Sequence, residues 1–567
     1  MHVSKRRSKP ALLAGASLLA LTFAACSTPQ PAPAPAAPGG GAPAADKPVT
    51  PKVDRVVLAL PPIGTEGNDI GHWGAPSAVQ LRPMYDKLIG VDPKTNKLSP
   101  ELATAWKVEP DGKSYRFTLR KGVQFHDNAG EFTSKDVKMT HTNMTYEGVT
   151  ASNGPIFRTL VEDVELVNDY EVVAKLKTPD AEFLINISQM VGGFEIVSKA
   201  DFDKRGGVYP TMATRPLAGT GPYLFKERQQ SAFIRFDRVP FKHYRVTPDF
   251  PQLELRMIGE PSTRMAGLLT GEIHLAPLPD DLLSSVEQQQ MKVVKGTTPA
   301  LRTFLGFRGQ YLLDKDDPSK GYKFPDSPMM NAKVRQALSK AVNRDELNKA
   351  FFRGKATNMV LDTYHPTRQG WNPDWERRFP EMYGFDADKA KALLAEAGFN
   401  ERNPLVIEML MIRLTDVPAS MDIQEAVAGY WRKIGVDTKL VTMDSTELNL
   451  KQRNMEFNRH VAIISTAAHM LTGVRVYKTA LHGIRGNAVE TPEINDFYRK
   501  VSVVLDEEAQ NPIWRDLGNK SFDSFQNIPL FWLDTQVAVN PKFVADYLFP
   551  GSISGSWTHL ENIKAAP

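Results

Sequence analysis

From about residue 53 to the end, the chain alternates between stretches of period two and stretches of helical period. The clearest strand is Tyr115-Arg116-Phe117-Thr118-Leu119, where every second side chain is apolar. Asp111-Gly112 just before it marks a tight turn. Thr133 stands where a helix N-cap is wanted, and Asp136 three residues on suits both a capping box and the positive end of the helix dipole. The local reading is a strand pair feeding a helix.

The second half carries the stronger helices. Val334, Ala337, Leu338, Ala341 and Val342 share one face of a helix over Ala332 to Ala341, and Asn343 restarts a helix with Glu346 in the capping-box position. Asp386 precedes a helix whose buried stripe is Ala387, Ala390, Leu393, Leu394 and Ala397, closed by Gly398. A further stripe of Ile423, Ala426, Val427, Tyr430, Trp431 and Ile434 ends at Gly435 and leads into the strand-like Val436 to Val441. Helix, glycine stop and strand in succession is the sequence form of an α/β layer. No short-period repeat is present, so a solenoid or propeller is not expected.

The N-terminus differs in kind. A basic stretch from Lys5 to Lys9 precedes an apolar run from Ala11 to Ala25, too short for a bilayer, which is the pattern of a signal peptide over residues 1–25. It ends Thr22-Phe23-Ala24-Ala25-Cys26, and Cys26 is the one cysteine of the chain. That segment resembles a bacterial lipobox, with Phe23 where Leu is usual, and the resemblance implies a Cys26 that is lipidated and becomes the new N-terminus. Residues 27 to about 52 are mostly Pro, Ala and Gly and read as a tether. With no second thiol, an exported fold has no intramolecular disulfide to rely on.

Charge and length narrow the class further. The formal charge of +4 equals the contribution of Lys5, Arg6, Arg7 and Lys9, since the other basic residues balance the 65 acidic ones. A body without excess cation is not expected to bind nucleic acid. At 567 residues two or three compact units are expected. No zinc-binding His-Glu-x-x-His, nucleophile elbow or phosphate loop is present. His126 and Asp127 are neighbours in sequence and would point apart on a strand, so a structural role is expected. Neither enzyme activity nor a cofactor nor a dedicated metal site is expected.

Several stretches, taken in order, resemble the family 5 extracellular solute-binding proteins that serve peptide and nickel importers. They are Ser99-Pro100-Glu101-Leu102-Ala103-Thr104-Ala105-Trp106, Asp111 to Asp127, Phe132 to Val137, Gly219-Thr220-Gly221-Pro222-Tyr223, Val334 to Leu338 with Ala341 to Arg344, and Ala390 to Gly398. The resemblance implies an α/β fold of the two-lobed periplasmic-binding-protein type II, with an extra subdomain in the first lobe. It places lobe 1 at 53–302 with the subdomain about 98–215, lobe 2 at 303–528, and the return to lobe 1 at 529–567. The crossings are expected near Leu301 to Arg308 and near Asn527 to Leu533. It also implies a monomer that encloses a peptide-like or other small solute between its lobes and presents it to an ABC permease of the inner membrane. A ligand-sensing receptor of the same fold, without its own permease, is the alternative; a secreted α/β hydrolase would need a nucleophile motif that is absent.

Candidate ligand residues follow from position. The loop from Ile63 to Trp73 would lie at the cleft mouth, with Thr65 in it, Glu66 meeting a cationic group and Trp73 stacking; Glu66 reads equally as an exposed carboxylate and Trp73 as a core indole. Phe307, Arg308, Trp532 and Asp534 would be covered as the lobes close, and Trp371 would reach the cleft from its Gln369 to Pro373 loop. Peptide-binding relatives hold the free amino terminus with an acidic residue in the second lobe, yet no acidic residue occurs between Asn458 and Glu490. His469, Arg475 and Tyr477 in that stretch suggest an anionic or neutral polar ligand against an aromatic wall, and a solvent-facing Arg475 is the competing reading.

Overall fold

The computed structural model describes residues 50–567 apart from 64–65, 72–74, 147–148, 150–153, 192, 208–214, 298–300, 315–316, 413, 415–416, 418, 444, 468–489 and 552–557. Cys26, the signal and tether segments up to residue 49, Thr65, Trp73, His469, Arg475 and Tyr477 lie outside the described residues.

Two large sheets organise the body. In the first, Arg55–Leu60 pairs in parallel with Gln252–Met257 and Leu275–Ala276 near the middle of seven strands, ordered 292–295, 536–539, 275–276, 55–60, 252–257, 233–238 and 223–229. The run Val56 to Leu60 is apolar at every position because both faces are covered. Val56, Leu58 and Leu60 enter the main core, whereas Val57 and Ala59 enter a second core with residues of the helices Pro261–Thr270 and Asp280–Gln288.

The expected strand pair feeding a helix forms the extra subdomain. Ala103–Val108, Ser114–Leu119, Glu171–Leu176 and Val161–Asn168 make a four-stranded antiparallel sheet in that order. Asp111 Oδ1 closes the first turn by accepting from the backbone N–H groups of Lys113 and Ser114. The helix Ser134–Thr145 opens with the capping box, Asp136 Oδ2 accepting from Thr133 N at 2.8 Å. His126 is buried, its Nε2 2.8 Å from the Gly221 carbonyl oxygen, which ties two of the stretches that carry the family resemblance.

The second sheet has six strands, ordered 357–358, 527–533, 301–307, 460–467, 406–410 and 437–441. Helices Ala332–Lys340, Ala387–Glu396 and Ser420–Lys433 pack on one of its faces through the apolar stripes read from the sequence, and Arg344–Phe352 joins them through Leu347 and Phe352. Asn343 and Asp386 cap as expected, accepting from Glu346 N and Lys389 N. Gly398, at φ +89, ends its helix in the left-handed region. A third core of Tyr364, Trp375, Tyr383, Trp514 and Phe522 gathers among helices Asp374–Tyr383, Pro492–Val501 and Glu507–Ser524.

The passage between the two sheets is an antiparallel ribbon. Lys295 pairs with Gln536 in the first sheet, and Leu301 pairs with Leu533 in the second. The chain therefore crosses at 296–300 and again at 534–535, and the segments Leu301–Phe307 and Asn527–Leu533, where the crossings were expected, are themselves adjacent strands of the second sheet.

Within the first lobe a closed set of charges is buried. Arg82 lies 2.8 Å from Glu101 and 3.5 Å from Asp86, while Arg245 lies 2.8 Å from Asp86 and also bonds Glu561. Burial pushes the Glu561 carboxyl up, but Arg245 and Arg82 outweigh it and hold the group well below the usual carboxylate range. A carboxylate depressed in the folded state adds stability above its unfolded pKa of about 4.3 and loses it as pH falls through the folded value. Replacing Glu561 by Gln leaves two buried guanidiniums short of a partner and should cost about 3–5 kcal/mol. Urea denaturation should show that gap constant from neutral pH down to the unfolded carboxylate range and narrowing at lower pH.

Candidate functional site

The face of the second sheet turned away from the helices is short, aromatic and charged. Strand alternation sends Leu301, Leu305 and Phe307 into the helical core and sends Arg302 and Phe304 to the other side. Trp532, directly opposite Arg302 in the ladder, joins Phe304 and Met359 there, with Ile464 packed alongside. Arg302 and Trp532 thus form the first rung but one past the crossing.

The loop from Leu361 to Gly370 covers this rung. Arg302 Nη1 lies 3.0 Å from Asp362 Oδ1 and also bonds Thr363 Oγ1. Asn527 Nδ2 reaches the other Asp362 oxygen at 3.4 Å. Arg368 stacks its guanidinium over Trp532 at 4.9 Å from the ring centre and donates from Nη1 to the Thr363 carbonyl at 3.2 Å. His365 meets the same indole edge-on at 5.2 Å. Its Nδ1 lies 2.8 Å from Thr367 Oγ1 and accepts from Thr367 N at 3.3 Å, which leaves Nε2 to carry the proton of the neutral ring. Arg302 and Trp532 are buried, whereas Arg368 and His365 are half-buried.

Electrostatics distinguishes this cluster. Burial lowers Arg368 to about 10, with repulsion from Arg302 adding to it, so the group stays cationic at neutral pH. Burial raises the Asp362 carboxyl, with Arg302 pulling the other way. Burial, and then Arg368, push the His365 imidazole below its usual range and favour the neutral ring. Two guanidiniums thus share one carboxylate among the described residues.

The expected site residues divide. Trp532 stands at the crossing end of its strand, in contact with Arg368. Asp534 lies in the crossing itself, 3.3 Å from Lys295 and largely exposed. Phe307 and Arg308 correct the expectation, because the crossing precedes Leu301 and six strand steps of about 3.3 Å put Arg308 roughly 20 Å from Arg302. Phe307 is a core side chain, and Arg308 is buried with its backbone N–H on the His460 carbonyl. Trp371 packs edge-on against Trp375 at 5.5 Å in the third core, so its indole fills that core instead of reaching a cleft. Glu66 accepts from the backbone N–H of Ser231 through Oε1 at 2.9 Å, a tie within the first lobe. Arg302, Asp362, Thr363, His365 and Arg368 were not anticipated. A lone charge inside the apolar run Leu301 to Phe307 was the available signal for Arg302.

The lobes touch through polar groups beside the crossing. Arg353 of the second lobe bonds Ser284 Oγ of the first, and Gln536 Nε2 lies 3.4 Å from Asp280 Oδ1. Away from it, Ala181 N of the extra subdomain donates to the Ser502 carbonyl at 2.8 Å.

Residues 97–482 match a family model described as bacterial extracellular solute-binding proteins, family 5 Middle. The chain is 28% identical over 380 residues to the dipeptide-binding protein of Escherichia coli K12, covering 64% of this chain and 66% of that one. It is 26% identical over 391 residues to heme-binding protein A of Haemophilus influenzae, covering 66% and 67%. These alignments span about two thirds of the curated relatives. The fold is shared with the crystal structure of NikA from Brucella suis in complex with Fe(III)-EDTA, at a TM-score of 0.72 and 19% identity over 90% of this chain and 99% of that one.

Gly370 anchors the loop that carries Arg368. Its φ is +72, its N–H donates to Asn511 Oδ1 at 2.9 Å, and a Cβ there would stand 2.3 Å from the Trp514 Cβ. Gly370→Ala should therefore cost about 1–3 kcal/mol. Gly259→Ala, where a Cβ meets nothing within 4 Å, should stay within about 0.5 kcal/mol; paired urea titrations measure both.

Proposed function

The chain belongs to the bacterial extracellular solute-binding proteins of family 5, and from that premise we propose that it is the capture component of an ABC importer, closing two lobes around a small organic solute and handing it to a permease. Its action is binding without catalysis. The observation that carries the reading is the strand pairing that passes from one sheet to the other, with Arg302, Trp532 and Arg368 on the adjacent rung and, among the described residues, a few further links between the lobes, Leu505 on the first lobe's core included. Ligands of type II binding proteins are covered at this junction when a hinge closes. Relatives are named for dipeptides and heme, so a peptide-like solute stands first and other organic solutes second.

Localisation follows from the N-terminal motif. The lipobox-like Phe23-Ala24-Ala25-Cys26 and the Pro/Ala/Gly tether after it support a periplasmic protein anchored by lipid on Cys26 and monomeric in its body. Among the described residues no helix is long and apolar enough to cross a membrane, so the anchor would supply the attachment.

Two experiments test this. A thermal-shift screen of di- to pentapeptides, blocked peptides, organic acids and metal chelates should yield a stabilising solute, and X-ray scattering with that solute should show a smaller radius of gyration. An unchanged radius at saturation overturns capture by closure. Separately, Cys26→Ala should move the protein from the membrane to the soluble fraction of cells, and retention at the membrane would refute the anchor.

A further inference from the structure

Resting on the capture reading above, we propose that the loop 502–505 of the second lobe is a clasp, which fastens to the extra subdomain of the first lobe when the lobes close and lets go when they open.

The contact is a second point of attachment between the lobes. The loop joins the helices Pro492–Val501 and Glu507–Ser524. The Ser502 carbonyl accepts from Ala181 N at 2.8 Å. Leu505, three residues on, packs against the first lobe's main core, whose members in the subdomain include Tyr115, Phe117 and Phe183. Neither Ala181 nor the loop belongs to the two sheets that the ribbon joins. Two bodies held by one flexible crossing can rotate about it, and a second attachment elsewhere removes that freedom, so a hinge motion requires its release.

Both halves of the contact are braced. On the second lobe, Asp506 Oδ1 caps the following helix by accepting from Ala509 N at 2.7 Å, Gln510 Nε2 donates to the Val504 carbonyl at 2.6 Å, and Val504 N donates to the Val501 carbonyl at 3.2 Å. On the subdomain, the Tyr115 hydroxyl donates to the Asp180 carbonyl at 3.1 Å and Asp180 Oδ1 accepts from Glu182 N at 2.8 Å. The Tyr115 ring lies 4.9 Å from that of Phe183, which fixes the turn to the subdomain sheet. Two turns held in this way cannot follow one another as their lobes rotate. The contact is therefore made or broken as a unit.

The links beside the crossing behave differently. Arg353 to Ser284 and Gln536 to Asp280 use long side chains, which can keep touching through a small rotation by changing rotamer. A backbone N–H and a leucine have no such reach. Leu505 is half-buried, so its release exposes only part of an apolar side chain and asks for no unfolding, yet that part is enough to shift a two-state population. Val503, between the two contacting residues, is exposed and serves as a control.

The test uses the chain carrying Cys26→Ser, Ala181→Cys and Ser502→Cys, so that its two thiols are those of the contact. A short bismaleimide should bridge them in the folded protein with no solute present. Adding Leu505→Asp should slow bridging about threefold or more, the share expected of a half-buried leucine; Leu505→Ala should slow it less, and Val503→Asp should change nothing. Melting temperatures show which variants are folded, and Leu505→Ala decides if Leu505→Asp is not. In the wild type, the Ala181 amide should exchange its hydrogen faster than those of the strand Arg55–Leu60, because lobe opening frees it without global unfolding. The proposal is overturned if no bridge forms, if the folded Leu505 variants are bridged at the unaltered rate, or if the Ala181 amide is protected as long as that strand. Bridging is read without solute, so its failure leaves capture standing. A screen in which no solute compacts the protein removes capture, while the bridging rates still decide the clasp.

Discussion

The two large sheets of this molecule are joined through one pair of antiparallel segments. Lys292–Lys295 and Gln536–Val539 are neighbours in the first sheet, Leu301–Phe307 and Asn527–Leu533 are neighbours in the second, and the two pairs are joined by a few residues on each side. Two sheets cannot slide freely when the strands that link them are also paired within each, so relative motion is confined to bending of the linker. The Arg302 and Trp532 rung lies at the lobe 2 end of that linker.

Buried charge ties distant segments together in both lobes. In the first, Arg82 and Arg245 face Asp86, Glu101 and Glu561, and the set knits together segments as distant as residues 82 and 561. Without a disulfide available, such a network and the apolar core hold the returning C-terminal segment in place. In the second lobe, Arg302 pairs with Asp362 and Arg368 stacks over Trp532, which ties the 361–370 loop to the sheet.

Much of the fold could be read from the sequence because it is local. The capping box of Thr133 and Asp136, the caps at Asn343 and Asp386, and the stop at Gly398 are set by neighbours within a few residues. The site was less legible because its contacts are distant. Trp371 looks like a loop aromatic until Trp375 and Trp514, the latter far along the chain, close around it. The crossings were displaced because the apolar strands Leu301–Phe307 and Asn527–Leu533 on the second-lobe side drew the assignment, although Gly296 and Pro299 mark the first crossing in the sequence. Arg368 owes its role to Trp532, a partner that only the folded ladder brings near.

The balance between open and closed states follows from the same inventory. Apart from the ribbon, the links between lobes described above are the Arg353 to Ser284 bond, the long Gln536 to Asp280 contact and the Ala181 to Ser502 bond. Solvent-exposed polar contacts of this kind contribute about 0–1 kcal/mol each. Leu505 of the second lobe also packs against the first lobe's main core. Moving a two-state equilibrium from nearly all open to nearly all closed takes about 5.5 kcal/mol of differential binding. In the capture reading, that differential comes from burying the body of the solute against both lobes, so the enclosed surface is the source of closure.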